Sequence, residues 1–231
     1  IRCTCTIDNI SSSLACCREL SCVSSTSGVE SSKSKNVPKP VIVYDVHSSM
    51  CSSNGKGFLH NVGVFDVSHM GEFMVEGSHA FDLLQFICSN DISKLTPGKA
   101  QYNYLPNDQG GVVDDLIIYQ LQNEKYLLVV NASNVQKDWD HIERQNKKFN
   151  ARLENVSEKT ALLAIQGPKA LEAMQSICNA QLHQLAHYSH TTTIFAGVKN
   201  ILVATTGYSG AGGIEIYFDV SNAEKIWNCL L

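Results

Sequence analysis

The stretch Gln101-Tyr-Asn-Tyr-Leu-Pro-Asn-Asp-Gln-Gly-Gly-Val-Val-Asp-Asp-Leu-Ile-Ile-Tyr-Gln120 decides the fold class. Two runs rich in β-formers, 101–105 and 112–120, flank a polar turn whose Asn, Asp and paired glycines are hairpin chemistry. Upstream, 62–76 reads as a strand pair. A helix follows, capped by Ser78, with Phe81, Leu84, Ile87 and Cys88 at helical spacing. Downstream, 126–130 is a strand, and Ser133 or Asn134 caps an amphipathic helix reaching Lys148. The apolar run 161–165 stops at Gly167-Pro168, where Pro168 opens a helix over 169–178. Strands over 192–196, 201–205 and 213–218 enclose a glycine-rich turn, and a last helix starts near Ser221. Hairpins with helices between them predict an α+β fold of mixed and antiparallel sheets with packed helices.

The 231 residues suffice for one sizeable core or two small ones, with 44% hydrophobic residues and no need of a metal or disulfide staple. A formal charge of −4 argues against a dedicated nucleic-acid binder. No apolar run approaches a membrane span. Six of nine cysteines (Cys3, Cys5, Cys16, Cys17, Cys22, Cys51) and 14 serines fall in residues 1–58, so the whole-chain average describes neither part. Cys16-Cys17 and Cys3-Thr-Cys5 fit no zinc spacing, and 31–40 reads as linker. Residues 1–58 are therefore expected to be a Ser/Cys-rich leader, disordered or non-native, relieved only by a short strand at 41–44. The ordered region is expected over 59–231.

Asp114-Asp115 interrupt an apolar strand. Alternation places Asp115 with Ile117 and Tyr119 on one face and Asp114 with Leu116 and Ile118 on the other, which excludes a shared-proton dyad between the two. A carboxylate turned toward a core needs a partner, so Asp115 is either the head of a polar pocket or the end of the hairpin turn. Thr205-Thr-Gly-Tyr-Ser-Gly-Ala-Gly-Gly-Ile-Glu-Ile216 lacks the phosphate-loop ending and the dinucleotide fingerprint. Ala211 breaks the nucleophile-elbow pattern. What remains is a tight turn presenting Tyr208, followed by Glu215, whose strand pattern alone favours a solvent-facing position. His183, His187 and His190 lack the Glu, Cys or Asp that would complete a metal site, and read as a surface helix and strand start.

Taken in order, Phe65-Asp-Val-Ser-His-Met-Gly-Glu72, Pro97-Gly-Lys-Ala-Gln-Tyr102, Gly110-Gly-Val-Val-Asp-Asp-Leu-Ile117, Val129-Val-Asn-Ala-Ser-Asn134, Lys137-Asp-Trp139, Ala164-Ile-Gln-Gly-Pro168 and Thr206-Gly-Tyr-Ser-Gly-Ala-Gly-Gly-Ile-Glu215 form a pattern. It resembles the aminomethyltransferases, the T-proteins of the glycine cleavage system, from about Gly63 to the end of the chain. The turn Thr206-Gly207-Tyr208 separates it from the related iron–sulfur assembly factors, which carry a cysteine motif there.

The resemblance implies transfer of the methylene of an aminomethyl group, carried on the lipoyl arm of the H-protein, to tetrahydrofolate, with release of ammonia. It implies Asp115 as the catalytic carboxylate, stabilising positive charge at the reacting carbon. It implies Glu215 as the acceptor for the pterin N–H edge, against the solvent-facing reading above. Met70, Tyr102, Asn131 and Tyr208 fall on positions that wall the folate, and Tyr119 is a further carry-over. No metal is implied, and neither nucleic acid nor membrane is an expected partner. The family's compartment is the bacterial cytoplasm or the mitochondrial matrix. The family's C-terminal β-barrel domain and its Arg-Asp motif are expected to lie outside this chain. The alternatives are a folate-binding module without transfer activity and an inactive fragment. Ser209, Ala211 and Gly212 depart from the family's usual Thr, Glu and Asp.

Overall fold

The computed structural model describes residues 42–43 and 61–230. The expectations for the rest of 1–58 lie outside the described residues. Ile42–Val43 is a strand (β1) running parallel to the start of Gly63–Asp66 (β2).

The remaining strands are Gly71–Glu76 (β3), Ala100–Pro106 (β4), Val112–Gln122 (β5), Lys125–Val130 (β6), Arg152–Asn155 (β7), Thr160–Gln166 (β8), His190–Phe195 (β9), Val198–Ala204 (β10) and Gly213–Asp219 (β11). The α-helices are Ala80–Ile87 (α1), Val135–Asn146 (α2), Ala170–Gln175 (α3) and Ala223–Leu230 (α4). One sheet runs β4-β5-β6-β3-β7, and the other runs β1-β2-β8-β11-β10-β9. Among the described residues every strand pairing is antiparallel except β1 with β2.

The alternation of each strand sorts its residues between two apolar layers. In the first sheet Phe73, Val75, Leu116, Ile118, Leu128 and Val130 pack against α1 and α2. In the second, Leu163, Ile165, Ile214, Ile216 and Phe218 pack against α3 and α4. The opposite faces meet in the middle, where Tyr119, Leu127, Val129, Leu162, Leu202 and Tyr217 form a third cluster. The molecule is thus layered helix, sheet, sheet, helix, and agrees with the α+β expectation.

The two halves repeat one plan at an offset of 90 residues. Gly77, Ala80, Gln85, Ile87, Cys88 and Leu95 recur as Gly167, Ala170, Gln175, Ile177, Cys178 and Leu185. In both halves the glutamine caps the following single-turn helix: Ile92 N–H donates to Gln85 Oε1 and Leu182 N–H to Gln175 Oε1, each at 2.9 Å. Strand order repeats as well, with β4-β5-β6-β3 corresponding to β9-β10-β11-β8. The halves meet through reciprocal backbone bonds, Ala100 N–H to the Tyr188 carbonyl and His190 N–H to the Gly98 carbonyl, both 2.9 Å.

Three local expectations are corrected. The strands of 62–76 do not pair with each other. Ser68 N–H bonds to Asp66 Oδ1 at 3.0 Å in a tight Asx turn, and β2 and β3 leave it for different sheets. His79, not Ser78, occupies the N-cap of α1, with no side-chain cap; Gly77 at φ 99° makes the turn instead. The helix after Gly167-Pro168 is shorter than 169–178 because Lys169 holds its N-cap and regular α geometry ends at Gln175.

Candidate functional site

Polar residues gather in the middle layer, at and around β5. Asp115 lies opposite Tyr104 in the β4–β5 register, with Tyr102 one diagonal step away. Tyr102 uses that diagonal to donate its hydroxyl to Asp115 Oδ2 at 2.6 Å. The hydrogen bond to the adjoining carboxylate first, and burial after it, push the Tyr102 phenol up to about 12. Asn131 is the first residue beyond β6, and its amide donates to the other oxygen, Asp115 Oδ1. The same Nδ2 reaches Asp114 Oδ1 at 3.1 Å. Asp115 is therefore held from both neighbouring strands, one donor per carboxylate oxygen.

Four residues further along the same face, about 13 Å at strand rise, Tyr119 enters the seam between the sheets. It is fully buried. Its hydroxyl lies 2.7 Å from Thr206 Oγ1, in the turn after β10, and 2.8 Å from the Tyr217 hydroxyl of β11 in the opposite sheet. Thr206 in turn donates to Glu215 Oε2. The donors form an ordered line from Tyr217 through Tyr119 and Thr206 to the carboxylate, with longer approaches of both tyrosines to the same Oε2. All three hydroxyl approaches to Glu215 fall on Oε2. Burial raises the Glu215 pKa and outweighs these hydroxyl donors.

Glu215 is 7% exposed, which corrects the solvent-facing reading of its strand pattern. β11 is an interior strand flanked by β8 and β10, and its second face is covered by the other sheet. His190 is also buried, against the edge of the Tyr119 ring at 5.6 Å, rather than on the surface. His183 belongs to a single 3-10 turn, Leu182–Gln184.

Met70, in the turn before β3, packs against the middle cluster. Tyr208 stands apart, 86% exposed on the glycine-rich turn. That turn rests on Gln166, whose Oε1 accepts from Ser209 at 2.6 Å and whose Nε2 donates to the Ile214 carbonyl at 3.1 Å. Gly213, at φ 133°, ends it; a Cβ there would collide with the Ile165 carbonyl.

Sequence reasoning missed Thr206, Tyr217 and Glu72. Tyr217 shares a strand face with Glu215, a legible i, i+2 signal. Glu72 is fully buried with neither carboxyl oxygen partnered, and burial pushes it up to about 8. It is a neutral acid at pH 7, close enough to raise the Tyr217 pKa.

Two facing halves, each a helix layer on a sheet, with acids and hydroxyls at their seam define a particular class of domain. The GCVT N-terminal domain model matches residues 44–231, and the chain belongs to that family. It is 50% identical over 188 residues to an aminomethyltransferase of Bacteroides fragilis, covering 81% of this chain and 50% of that one. To an aminomethyltransferase of Flavobacterium psychrophilum it is 54% identical over 167 residues, 72% of this chain and 46% of the other. The crystal structure of glycine cleavage system aminomethyltransferase T from Bartonella henselae superposes with a TM-score of 0.69 at 29% identity, over 75% of this chain and 46% of that one. The chain spans about half the length of the curated relatives it matches. No helix among the described residues is long and apolar enough to cross a membrane.

Proposed function

We propose that this chain supplies the folate-binding and reacting part of a tetrahydrofolate-dependent aminomethyltransferase of the glycine cleavage system. The carrying observation is the Asp115 carboxylate, gripped on both oxygens and sharing a strand face with the Tyr119–Glu215 network. In this reading the methylene of the aminomethyl group on the H-protein's lipoyl arm passes to two folate nitrogens. Its bonds to sulfur and to the amino nitrogen break. The two folate N–H protons end on ammonia and on the freed dihydrolipoyl thiol, so atoms balance.

Tetrahydrofolate fits the donor set. Glu215 has a second carboxyl oxygen clear of the hydroxyl line on Oε2, an acceptor for the N–H edge of a pterin. Asp115 sits further along the same face, where a carboxylate with fixed orientation stabilises positive charge developing at the transferred carbon. Tyr102 and Asn131 hold that orientation, Met70 furnishes apolar surface, and Tyr119, fully buried, orders the hydroxyls behind Glu215. Tyr208 joins only if the glycine-rich turn folds inward on binding.

Titration calorimetry with tetrahydrofolate, followed by transfer from aminomethylated H-protein, tests the reading in two stages. Binding with transfer that Asp115→Asn abolishes is the expected result. Binding without transfer would make the chain a folate-binding module, and no binding would overturn the reading.

A further inference from the structure

The motif Lys137-Asp-Trp139 has no part in the mechanism just described, yet all three side chains brace the site from behind. Lys137 Nζ donates to the Val113 carbonyl of β5 at 2.7 Å. The Trp139 ring packs edge-on against Phe73 of β3 at 5.1 Å between centroids. Between them, Asp138 is 0% exposed, inside the layer formed by α2 and the first sheet.

No N–H or O–H donor reaches either Asp138 oxygen among the described residues. Asp114 Oδ2 is likewise buried without a partner, and the Lys137–Val113 bond joins the residues just before each, so the two orphaned carboxyls face one another and each perturbs the other. Two ionised carboxylates cannot bond, and a facing pair with one member fully buried keeps one proton. The proton belongs on Asp138. Asp114 already accepts from the Asn131 amide and lies near Asn134, so its charge is the better solvated of the two. Burial first, then Asp114, pushes Asp138 up to about 8, against the opposing pull of Lys137 on its own helix. Asp115, also on β5, adds to the rise. A first-turn position on α2 would favour the anion by a fraction of this, so the helix terminus does not decide the outcome.

We propose that Asp138 is a positioning residue. As a neutral acid it donates to Asp114, which fixes the Asn131 amide and, through that amide, the aim of the Asp115 carboxylate. The line Asp138–Asp114–Asn131–Asp115 thus passes from the helix layer, round the end of β6, into the middle layer. The catalytic consequence rests on the reading of Asp115 given above; the proton-sharing and the coupling to Asn131 do not.

The test is nuclear magnetic resonance on the intact protein, with labelled aspartate carboxyls and asparagine side-chain amides, from pH 5 to 10. The Asp114/Asp138 pair should hold one proton at pH 7 and release it near pH 8, with the Asn131 amide signals moving through the same midpoint. Asp138→Asn keeps a donor and removes the titration, so the Asn131 signals should stay in place and lose that movement. Asp138→Ala should displace them at every pH and lower transfer, with Asp138→Asn restoring most of the loss. Should the alanine variant fail to fold, the flat Asn131 profile of Asp138→Asn decides alone. A doubly ionised pair at pH 7, or Asn131 signals indifferent to Asp138, overturns the inference. Failure of the aminomethyltransferase reading looks different: tetrahydrofolate would not bind, or no transfer would follow, while the Asp114/Asp138 titration and the Asn131 response persist.

Discussion

Tyr102 donates its phenolic hydroxyl to Asp115 Oδ2 along the diagonal of the β4–β5 pair, at 2.6 Å, although nearly half of the tyrosine (47%) is open to solvent. An exposed ring contributes little to stability, so this bond serves orientation. Tyr102→Phe removes the hydroxyl alone. A hydrogen bond to a charged group is worth about 1.5–3 kcal/mol, so single-turnover transfer should fall about 10- to 100-fold. The melting temperature should stay close to that of the parent. A large drop in melting temperature with transfer preserved would contradict it.

The seam hydroxyls couple the two sheets. Tyr119→Phe leaves Thr206 and Tyr217 without their common partner in a fully buried setting. Urea unfolding should show a loss of about 1–3 kcal/mol. Combining it with Tyr217→Phe should cost less than the sum, because the second change removes a group the first had already orphaned.

Glu72 and Asp138 give a pH dependence whose sign is unusual for carboxyls. Their folded pKa values, about 8 each, lie above the ordinary range, so the native state holds protons the unfolded chain has released. Their contribution is complete below about pH 4 and is lost as pH rises through 8, at up to about 1.4 kcal/mol per pH unit for each group. Denaturant midpoints at pH 5, 7 and 9 should fall in that order. Glu72→Gln should flatten the trend.

Gly213→Ala brings a Cβ into the Ile165 carbonyl and holds alanine at φ 133°. Loss of at least about 2 kcal/mol is expected, measured by thermal unfolding. Gly210→Ala, where the space is open at φ 71°, should cost only about 1 kcal/mol.

The hairpin around Asn107 was legible because its signal is local. Asn107 Oδ1 accepts from Gln109 and Gly111, and Gly110 takes φ 79°, the turn chemistry its sequence announces. β7 was not legible: Arg152–Asn155 is a short polar edge strand, half-exposed, held by pairing with β3 rather than by its own pattern. Glu215 could not be placed from alternation, which says that it opposes Ile214 and Ile216 but not whether a second sheet covers its side. Asp138 was hidden for a related reason, since an acid in a helix's first turn reads as solvated. The strand alternation of Asp114 and Asp115 did hold, yet one amide at the end of β6 touches both, a corner that no one-dimensional period describes.

The repeat has a consequence for how such a site can arise. Its scaffold is nearly symmetric, but its chemistry is not: Asp115, Tyr102, Tyr119 and Asn131 come from one half, and Thr206, Glu215 and Tyr217 from the other. A single ancestral unit pairing with its own copy would have faced like with like across the seam. Two copies within one chain are free to differ, and in the proposed reading one holds the reacting carboxylate and the other recognises the ring. Such a division of labour is heritable only where the two copies cannot exchange places.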